Sequence, residues 1–329
     1  MYKRFAEIAM NGSEGTSCLL VSVEERRTRK DATYCALTLR DGAQDIIANM
    51  WNWSKEQILK KVEEGTAVWV ELDKKLFNEQ ESYVCKGIDT APPDVVPEQF
   101  KICSPYSGEQ MYDWLMKQAG KLDPDNPAVR LTKALYEENR EQLLFWAAAK
   151  SIHHNIYGGL LYHTFRMVWS ALELYPVYGN PTGGAHLNKE LLICGTMLHD
   201  IGKLREMETD QMGSAEYTIE GNLLGHLLLG VEMIDREVWS HPDLYDENDE
   251  RILALKHMVA SHHGTLEWEA IKIPGLAEAM FLHFLDNLDA KMYVFEKSDE
   301  NTEAGTMDDG RRPMGARAWH ASFHVEKES

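Results

Sequence analysis

Five apolar segments beyond residue 157 each carry side chains that are costly to bury. His163 sits in GGLLYHTFRMV, His199-Asp200 closes LLICGTML, His226 sits in LLGHLLLG, His262-His263 closes KHMVASHHG, and Asp286 sits in FLHFLDNLDAK. An imidazole or an ionised carboxylate withdrawn from water is strongly unfavourable unless it is paired or bound to an ion. Five such positions on successive apolar helices imply a shared partner. A divalent metal is the simplest one, and histidine nitrogen with carboxylate oxygen suits Zn, Mn, Fe, Co or Ni.

The histidines are unevenly placed. All thirteen lie beyond residue 152, and eleven fall between His153 and His283. Scattered structural use does not give this pattern, whereas His is the commonest metal ligand and a frequent acid–base group. The elements that must position them read as helices. From about 107 to 295, DWLMKQAGKL, AVRLTKALYEENREQLLFWAAAKSI, LLYHTFRMVWSALEL, KELLICGTMLHD, GNLLGHLLLGVEMIDREVW, DERILALKHMVASHH and GLAEAMFLHFLDNLDAKMYVF carry apolar residues at three- and four-residue spacing.

Residues 1–90 read differently. TSCLLVSVEERRTR, ATYCALTLR, AQDIIANMW, TAVWVELDKKLF and ESYVCKGID are β-branched or aromatic runs with partial alternation, broken by RKD, Asp41-Gly42 and Asn78-Glu79. The stretch SKEQILKKVEEG between the third and fourth runs is compatible with a helix closing on Gly65. Five strands with one helix after the third is the order of an OB-fold barrel, with an SH3-like barrel as the alternative. Residues 91–106 hold four prolines and read as a linker. Residues 297–329 open on a polar, Gly-containing run and are expected to be a mobile tail. The fold class expected is therefore multidomain: an all-β barrel over 1–90, the linker, and an all-α bundle over 107–296.

Composition narrows the function. The chain has 329 residues, so two domains are expected, and its 44% hydrophobic content excludes global disorder. A net charge of −19 argues against a protein that coats DNA or an anionic membrane. The excess is uneven: residues 1–94 hold 13 Lys+Arg against 16 Asp+Glu, and the remainder holds 21 against 37. The N-terminal sequence has no signal-peptide core, and no run approaches the ~18 apolar residues of a membrane span. Five scattered cysteines without CxxC spacing fit free thiols in a reducing cytoplasm. A homo-oligomer stays open.

The polar series resembles the signature of the HD-domain phosphohydrolases: one His, a His-Asp pair and a distant Asp on a helical bundle. His163, His199-Asp200 and Asp286 match it in order, and His226 with His262-His263 is similar to the branch that binds two ions. That resemblance implies a bridging Asp200, with His163, His199 and Asp286 on one ion and His226, His262 and His263 toward the other. Asp289, three residues beyond Asp286, is the rival for its role. Two such ions activate water and clamp a phosphate. Lys203, in HDIGK, is placed to reach a phosphate oxygen and offset developing charge, so Asp200 and Lys203 are the expected catalytic pair. His257, His283, His186 and His241 fall outside the signature and read as structural or surface residues. His153-His154 precede Gly158-Gly159 and are candidates for lining the site.

An OB barrel binds single strands by stacking and cationic contacts. Tyr34, Trp51, Trp53, Trp69, Phe77 and Tyr83 are the candidate platforms, with Arg26, Arg27, Arg29 and Lys30 at the first hairpin and Lys74-Lys75 in the fourth strand. Alternation should place about half of the aromatics in the core. The nucleic-acid set is Arg26, Arg27, Arg29, Lys30, Tyr34 and Trp51. The barrel joined to HHNIYGGLLYHT, HDIGK, LLGH, SHHG and LDNLDAK resembles the YhaM-type 3′→5′ exoribonucleases over about residues 5–295. One departure is Tyr162, where members commonly carry Glu. The resemblance implies a cytoplasmic enzyme that uses two divalent ions, such as manganese or cobalt, to shorten single-stranded RNA or DNA from the 3′ end. Two alternatives are a phosphohydrolase of small nucleotides or cyclic dinucleotides, and a non-catalytic RNA-binding protein with a structural metal.

Overall fold

Alternating apolar residues build the first unit, Met1–Cys103, as a sheet that closes on itself. The computed structural model describes residues 2–28, 33–77, 80–149, 156–179, 186–210, 213–308 and 317–323. Strands β1 (Ser13–Arg27), β2 (Thr33–Arg40), β3 (Asp45–Trp51), β4 (Ala67–Phe77) and β5 (Gln80–Thr90) form a closed barrel in the order β1-β2-β3-β5-β4. Helix α1 (Lys55–Leu59) lies between β3 and β4, and Ser54 caps it by accepting the Gln57 N–H. β1 pairs with β4 through Ser13–Leu19 and with β2 through Leu19–Arg27. The change of partner falls at Leu19, and a register shift between Leu20 and Ser22 follows within the β2 pairing. A short parallel pairing of Ala48 with Tyr83 and Asn49 with Val84 closes the barrel. This is the OB order, and the SH3-like alternative is set aside. Leu20, Leu37, Leu39, Met50, Val70 and Leu72 fill the interior with Phe5 and Ile58.

The second unit, Ser104–Ser329, is helical. Its elements are α2 (Gly108–Ala119), α3 (Pro127–Glu138), α4 (Arg140–Leu143), α5 (Gly159–Tyr178), α6 (Lys189–Leu198), α7 (Lys203–Glu206), α8 (Ile219–Ser240), α9 (Glu250–Ser261) and α10 (Ala277–Asn301). α6 is central: Leu192 through Leu198 are all buried, and it packs against α3, α5, α9 and α10. A helix that is apolar all round belongs inside a bundle. Its last turn therefore delivers His199-Asp200 into the middle of the unit.

Three features depart from the sequence reading. The single helix expected over AVRLTKALYEENREQLLFWAAAKSI is broken at Asn139, which takes φ −103° and ψ 17° while its side chain donates to the Leu135 carbonyl at 2.8 Å. Asn competes with helix in this way. The all-α region also contains a hairpin, β6 (Met207–Thr209) with β7 (Ala215–Tyr217), whose strands are too short for alternation to register. Finally, α10 runs to Asn301, past the expected boundary at 296, because its polar last turns suit a solvated helix. Beyond it, Asp308 accepts from the Ser298 hydroxyl at 3.0 Å and the Ala318 N–H at 2.8 Å. Part of the segment assigned to the tail is thus tied back. Among the described residues no helix is long and apolar enough to cross a membrane.

The turn after α6 crosses α8 at Gly202, where a Cβ would lie 2.0 Å from the His226 carbonyl oxygen and 2.6 Å from the Gly230 nitrogen. Gly202→Ala must therefore push α8 off the turn. Overpacking of this kind costs roughly 1–3 kcal/mol. Urea unfolding of the variant should show that loss, and an unchanged midpoint would mean that the crossing has slack.

Candidate metal centre

Two helices end at a histidine that points back into the bundle. His199 is the cap of α6, and His262 is the cap of α9. The last carbonyls of a helix lack intrahelical donors. Here His199 Nδ1 lies 2.8 Å from the Thr196 carbonyl and His262 Nδ1 lies 2.8 Å from that of Val259. A carbonyl only accepts, so each Nδ1 carries the proton and each Nε2 keeps its lone pair. His263 is held alike by the Trp268 carbonyl at 2.7 Å. His163 and His226 direct Nδ1 to carboxylates instead, Asp289 Oδ2 at 2.7 Å and Glu206 Oε1 at 2.9 Å. All five rings thus have Nδ1 committed to an acceptor.

The Nε2 atoms gather around Asp200. Its Oδ2 lies 3.3 Å from His199 Nε2 and 3.8 Å from His163 Nε2, while its Oδ1 lies 3.4 Å from His226 Nε2 and 3.6 Å from His262 Nε2. One carboxylate oxygen faces each pair of histidines. His263 joins the Oδ1 side, where ligand atoms of His226, His262 and His263 lie within 4.8 Å of one another. His163, His199 and Asp200 form the other such group, and Asp286 Oδ1 lies 3.3 Å from His163 Nε2. Asp200 Oδ1 and His226 Nε2 are buried with no hydrogen-bond partner. Buried polar atoms are almost always satisfied. These two orphans lie 3.4 Å apart, with His262 Nε2 3.6 Å from Asp200 Oδ1, and fit a divalent cation whose N and O ligands lie about 2.0–2.2 Å away.

The structure separates the two rival aspartates. Asp286 is on the Nε2 side of His163, facing the other donors, and Asp289 is behind the ring on Nδ1. Asp289 is itself held by Arg166, whose Nε lies 2.6 Å from Oδ1 and whose guanidinium also pairs with Glu296. Tyr162 lies under this Arg166, 5.4 Å from ring centroid to guanidinium carbon. Arg166 and Glu206 were not singled out in the sequence, because each lies in an ordinary amphipathic or polar window.

The electrostatics follow from burial and pairing. Burial opposes a charge on His163, but Asp286 and Asp289 outweigh it and raise its pKa to about 10. Burial drives His262 down to about 3 although Asp200 pulls the other way. Burial and the neighbouring His226 lower His263. Asp200 stays ionised against burial through Lys203 and His199. Lys203 Nζ sits 2.8 Å from Asp200 Oδ2, and that carboxylate keeps the largely buried ammonium charged. A cleft of about 380 Å³ opens beside these groups, lined by Lys203, Glu206, His226 and His263 and by apolar residues including Tyr217, Leu224 and Ile271.

Of the remaining histidines, His257 Nε2 accepts the Gly275 N–H and His283 Nδ1 contacts the His262 carbonyl, both structural roles. His153 and His154 lie outside the described residues, as do Arg29 and Lys30. On the barrel, Arg26, Tyr34 and Trp51 form one cross-strand row over β1, β2 and β3. Tyr34 and Trp51 stack with centroids 4.7 Å apart, and Arg26 pairs with Glu24. Arg27 is exposed beside them, opposite Thr33. Two of the other aromatics face inward: Tyr83 is buried and Trp53 packs on the barrel core. Trp69 is partly exposed over Gly15. The side chain of Phe77 lies outside the described residues. Lys74 is buried against Glu81 and Lys75 pairs with Asp73, so neither extends the row.

Residues 160–291 match the family described as HD domain. The match lies within the helical unit. Its span takes in His163, His199, Asp200, His226, His262, His263 and Asp286. The whole chain is similar to a protein named 3′-5′ exoribonuclease YhaM from Oceanobacillus iheyensis, 29% identical over 320 residues and 96% of each chain. Among solved structures, the second OB-fold domain of replication protein A from Methanococcus maripaludis matches 29% of this chain and 99% of that one, at 18% identity and a TM-score of 0.23. The OB assignment rests on the strand order of the barrel and not on that likeness.

The raised pKa of His163 generates a prediction for this centre. Below about pH 10 the ion-free ring carries a proton that a metal must displace from Nε2. Mn²⁺ binding at pH 7 should therefore release about one proton, and affinity should rise with pH through the neutral range. Calorimetry in buffers of different ionisation enthalpy checks this, and heats independent of buffer would contradict it.

Proposed function

We propose that this protein is a metal-dependent phosphodiesterase that removes nucleotides from the 3′ end of single-stranded RNA, with single-stranded DNA as a further substrate, in the cytoplasm. The observation that carries the reading is the divided Asp200 carboxylate, with one oxygen toward His163 and His199 and the other, buried and unpartnered, toward His226 and His262. The name of the Oceanobacillus relative, which aligns over nearly the full length of both chains, supports the RNA substrate and the polarity.

On this reading His163, His199, Asp200 and Asp286 hold one divalent ion, and His226, His262 and His263 hold a second that shares Asp200. Manganese or cobalt are the first choices, and Zn, Fe or Ni suit the same donors. Such ions supply Lewis acidity toward phosphate and bring the pKa of water toward neutrality. The chain supplies the rest. Lys203 stays protonated and can offer its ammonium to a phosphate oxygen beside Asp200, where it offsets charge that builds during attack. Asp289 and Glu206 keep His163 and His226 in one tautomer. Tyr217, Leu224 and Ile271 give the terminal nucleoside an apolar wall. The Arg26–Tyr34–Trp51 row offers ring faces to the bases of a captured strand.

With Mn²⁺, a 5′-labelled single-stranded RNA should give a ladder of products shortened from the 3′ end, and a His199→Ala/Asp200→Ala variant should give none. One sharp internal cut, or intact RNA with hydrolysed cyclic dinucleotides, would sink the proposal. The barrel has its own test. Trp51→Ala should weaken single-strand binding by about 1–3 kcal/mol in an anisotropy titration, as expected for loss of one stacked base. Unaltered affinity would remove the row from the binding surface.

A further inference from the structure

Helix α8 is broken one residue before a histidine of the metal centre. Gly225 takes φ 70° and ψ 158°, which interrupts the helical backbone inside LLGHLLLG. The break leaves the N–H of His226 at the start of a new helical run, without a carbonyl one turn back to receive it. Glu206 Oε1 accepts it at 2.9 Å, and the same oxygen lies 2.9 Å from His226 Nδ1. Two contacts from one carboxylate fix both the backbone and the ring. Nε2 is then left as the lone-pair atom, buried, unpartnered and 3.4 Å from Asp200 Oδ1.

His226 differs from its neighbours on this side of the centre. His262 and His263 are held by the backbone carbonyls of Val259 and Trp268, which no side-chain change removes. His226 depends on a side chain. Glu206 is in turn anchored: its carbonyl accepts the Thr218 N–H at 3.0 Å, and a Cβ on Gly221 would lie 2.0 Å from that oxygen. The hairpin β6–β7 and the first two turns of α8 lie between Glu206 and His226 in sequence, so the contact also closes this excursion.

We infer that Glu206 is a positioning residue that holds His226 as a ligand and so decides whether the His226–His262–His263 side of the centre is filled, leaving the His163–His199–Asp286 side unaffected. This rests on the two-ion reading of the site. Groups behind a metal-binding histidine commonly alter affinity 10–100-fold when removed.

The test is a titration of chelator-stripped, full-length protein with Mn²⁺ alone, read by calorimetry and by elemental analysis after dialysis. The wild type is expected to bind two ions per chain. Glu206→Ala should bind one ion normally and the second about 10–100-fold more weakly, matching His226→Ala. Glu206→Gln keeps an oxygen acceptor for Nδ1–H and should recover most of the second site. Gly225→Ala penalises the break with Glu206 in place, so it should also lose the second ion and covers the case in which Glu206→Ala does not fold. Two ions retained at full affinity in Glu206→Ala would overturn the inference. So would Glu206→Gln losing the second ion as fully as Glu206→Ala, since that would make Glu206 a ligand in its own right. A wild type that binds fewer than two ions would instead overturn the two-ion reading, whatever the variants do.

Discussion

The carboxylate of Asp200 is a negative charge with 3% exposure at the end of α6, whose residues from Leu192 on are all buried. Such a group is tolerated only when positive charge is brought to it. Lys203 answers one oxygen, and the other has no hydrogen-bond partner. The neighbourhood deepens the deficit. Asp286, Asp289 and Glu206 add three carboxylates close by, and the C-termini of α6 and α9 present the negative ends of two helices. Lys203 and Arg166 are the cations set against them in the described structure. A proton drawn onto His163 supplies part of the balance in the ion-free protein. A divalent cation would answer the same demand.

The same helix ends solve a second problem. A histidine is useful as a ligand only if one nitrogen keeps its lone pair, and an unrestrained ring can present either. Placing His199 and His262 at helix C-caps sets each Nδ1 on a carbonyl three residues back. Fold and tautomer are thereby fixed by one feature. This is why the apolar runs LLICGTML and KHMVAS stop at their histidines: the helix has to end there for its own carbonyl to be free.

The residue types of the centre were legible because each is costly where it stands. A histidine in LLGHLLLG or an aspartate in FLHFLDNL needs a reason, and a shared ion is the economical one. The fold class was legible for a similar reason, since period-two runs and period-three-four runs occupy separate halves of the chain. Less visible was what backbone detail decides. Asp286 and Asp289 share a helix face, so spacing leaves them equivalent; they part because the His163 ring lies between them and offers each a different nitrogen. Glu206 sits in the polar stretch KLREMET, and its role exists only because α8 breaks at Gly225, where the sequence reads as continuous helix. In the barrel, Lys74 looked like a surface cation, yet the strand register turns it inward beside Tyr83 and Glu81.

The charge distribution then bears on how the proposed strand would be captured. Most of the −19 lies beyond residue 94, so the barrel is nearly neutral. Arg26 shares its charge with Glu24, while Tyr34 and Trp51 present stacked rings on the same row. Affinity for a strand on this row would come more from ring faces than from neutralised phosphates. Stacking is open to unpaired bases and closed to a duplex, whose bases are already stacked. Phosphate neutralisation is what a duplex binder relies on, and its affinity falls steeply with salt. An acidic chain with an aromatic row is thus biased toward single strands by both terms at once. On the proposed function, the cations that bring a phosphate to the helical unit would then be local, namely Lys203 and the ions that the buried carboxylates would attract.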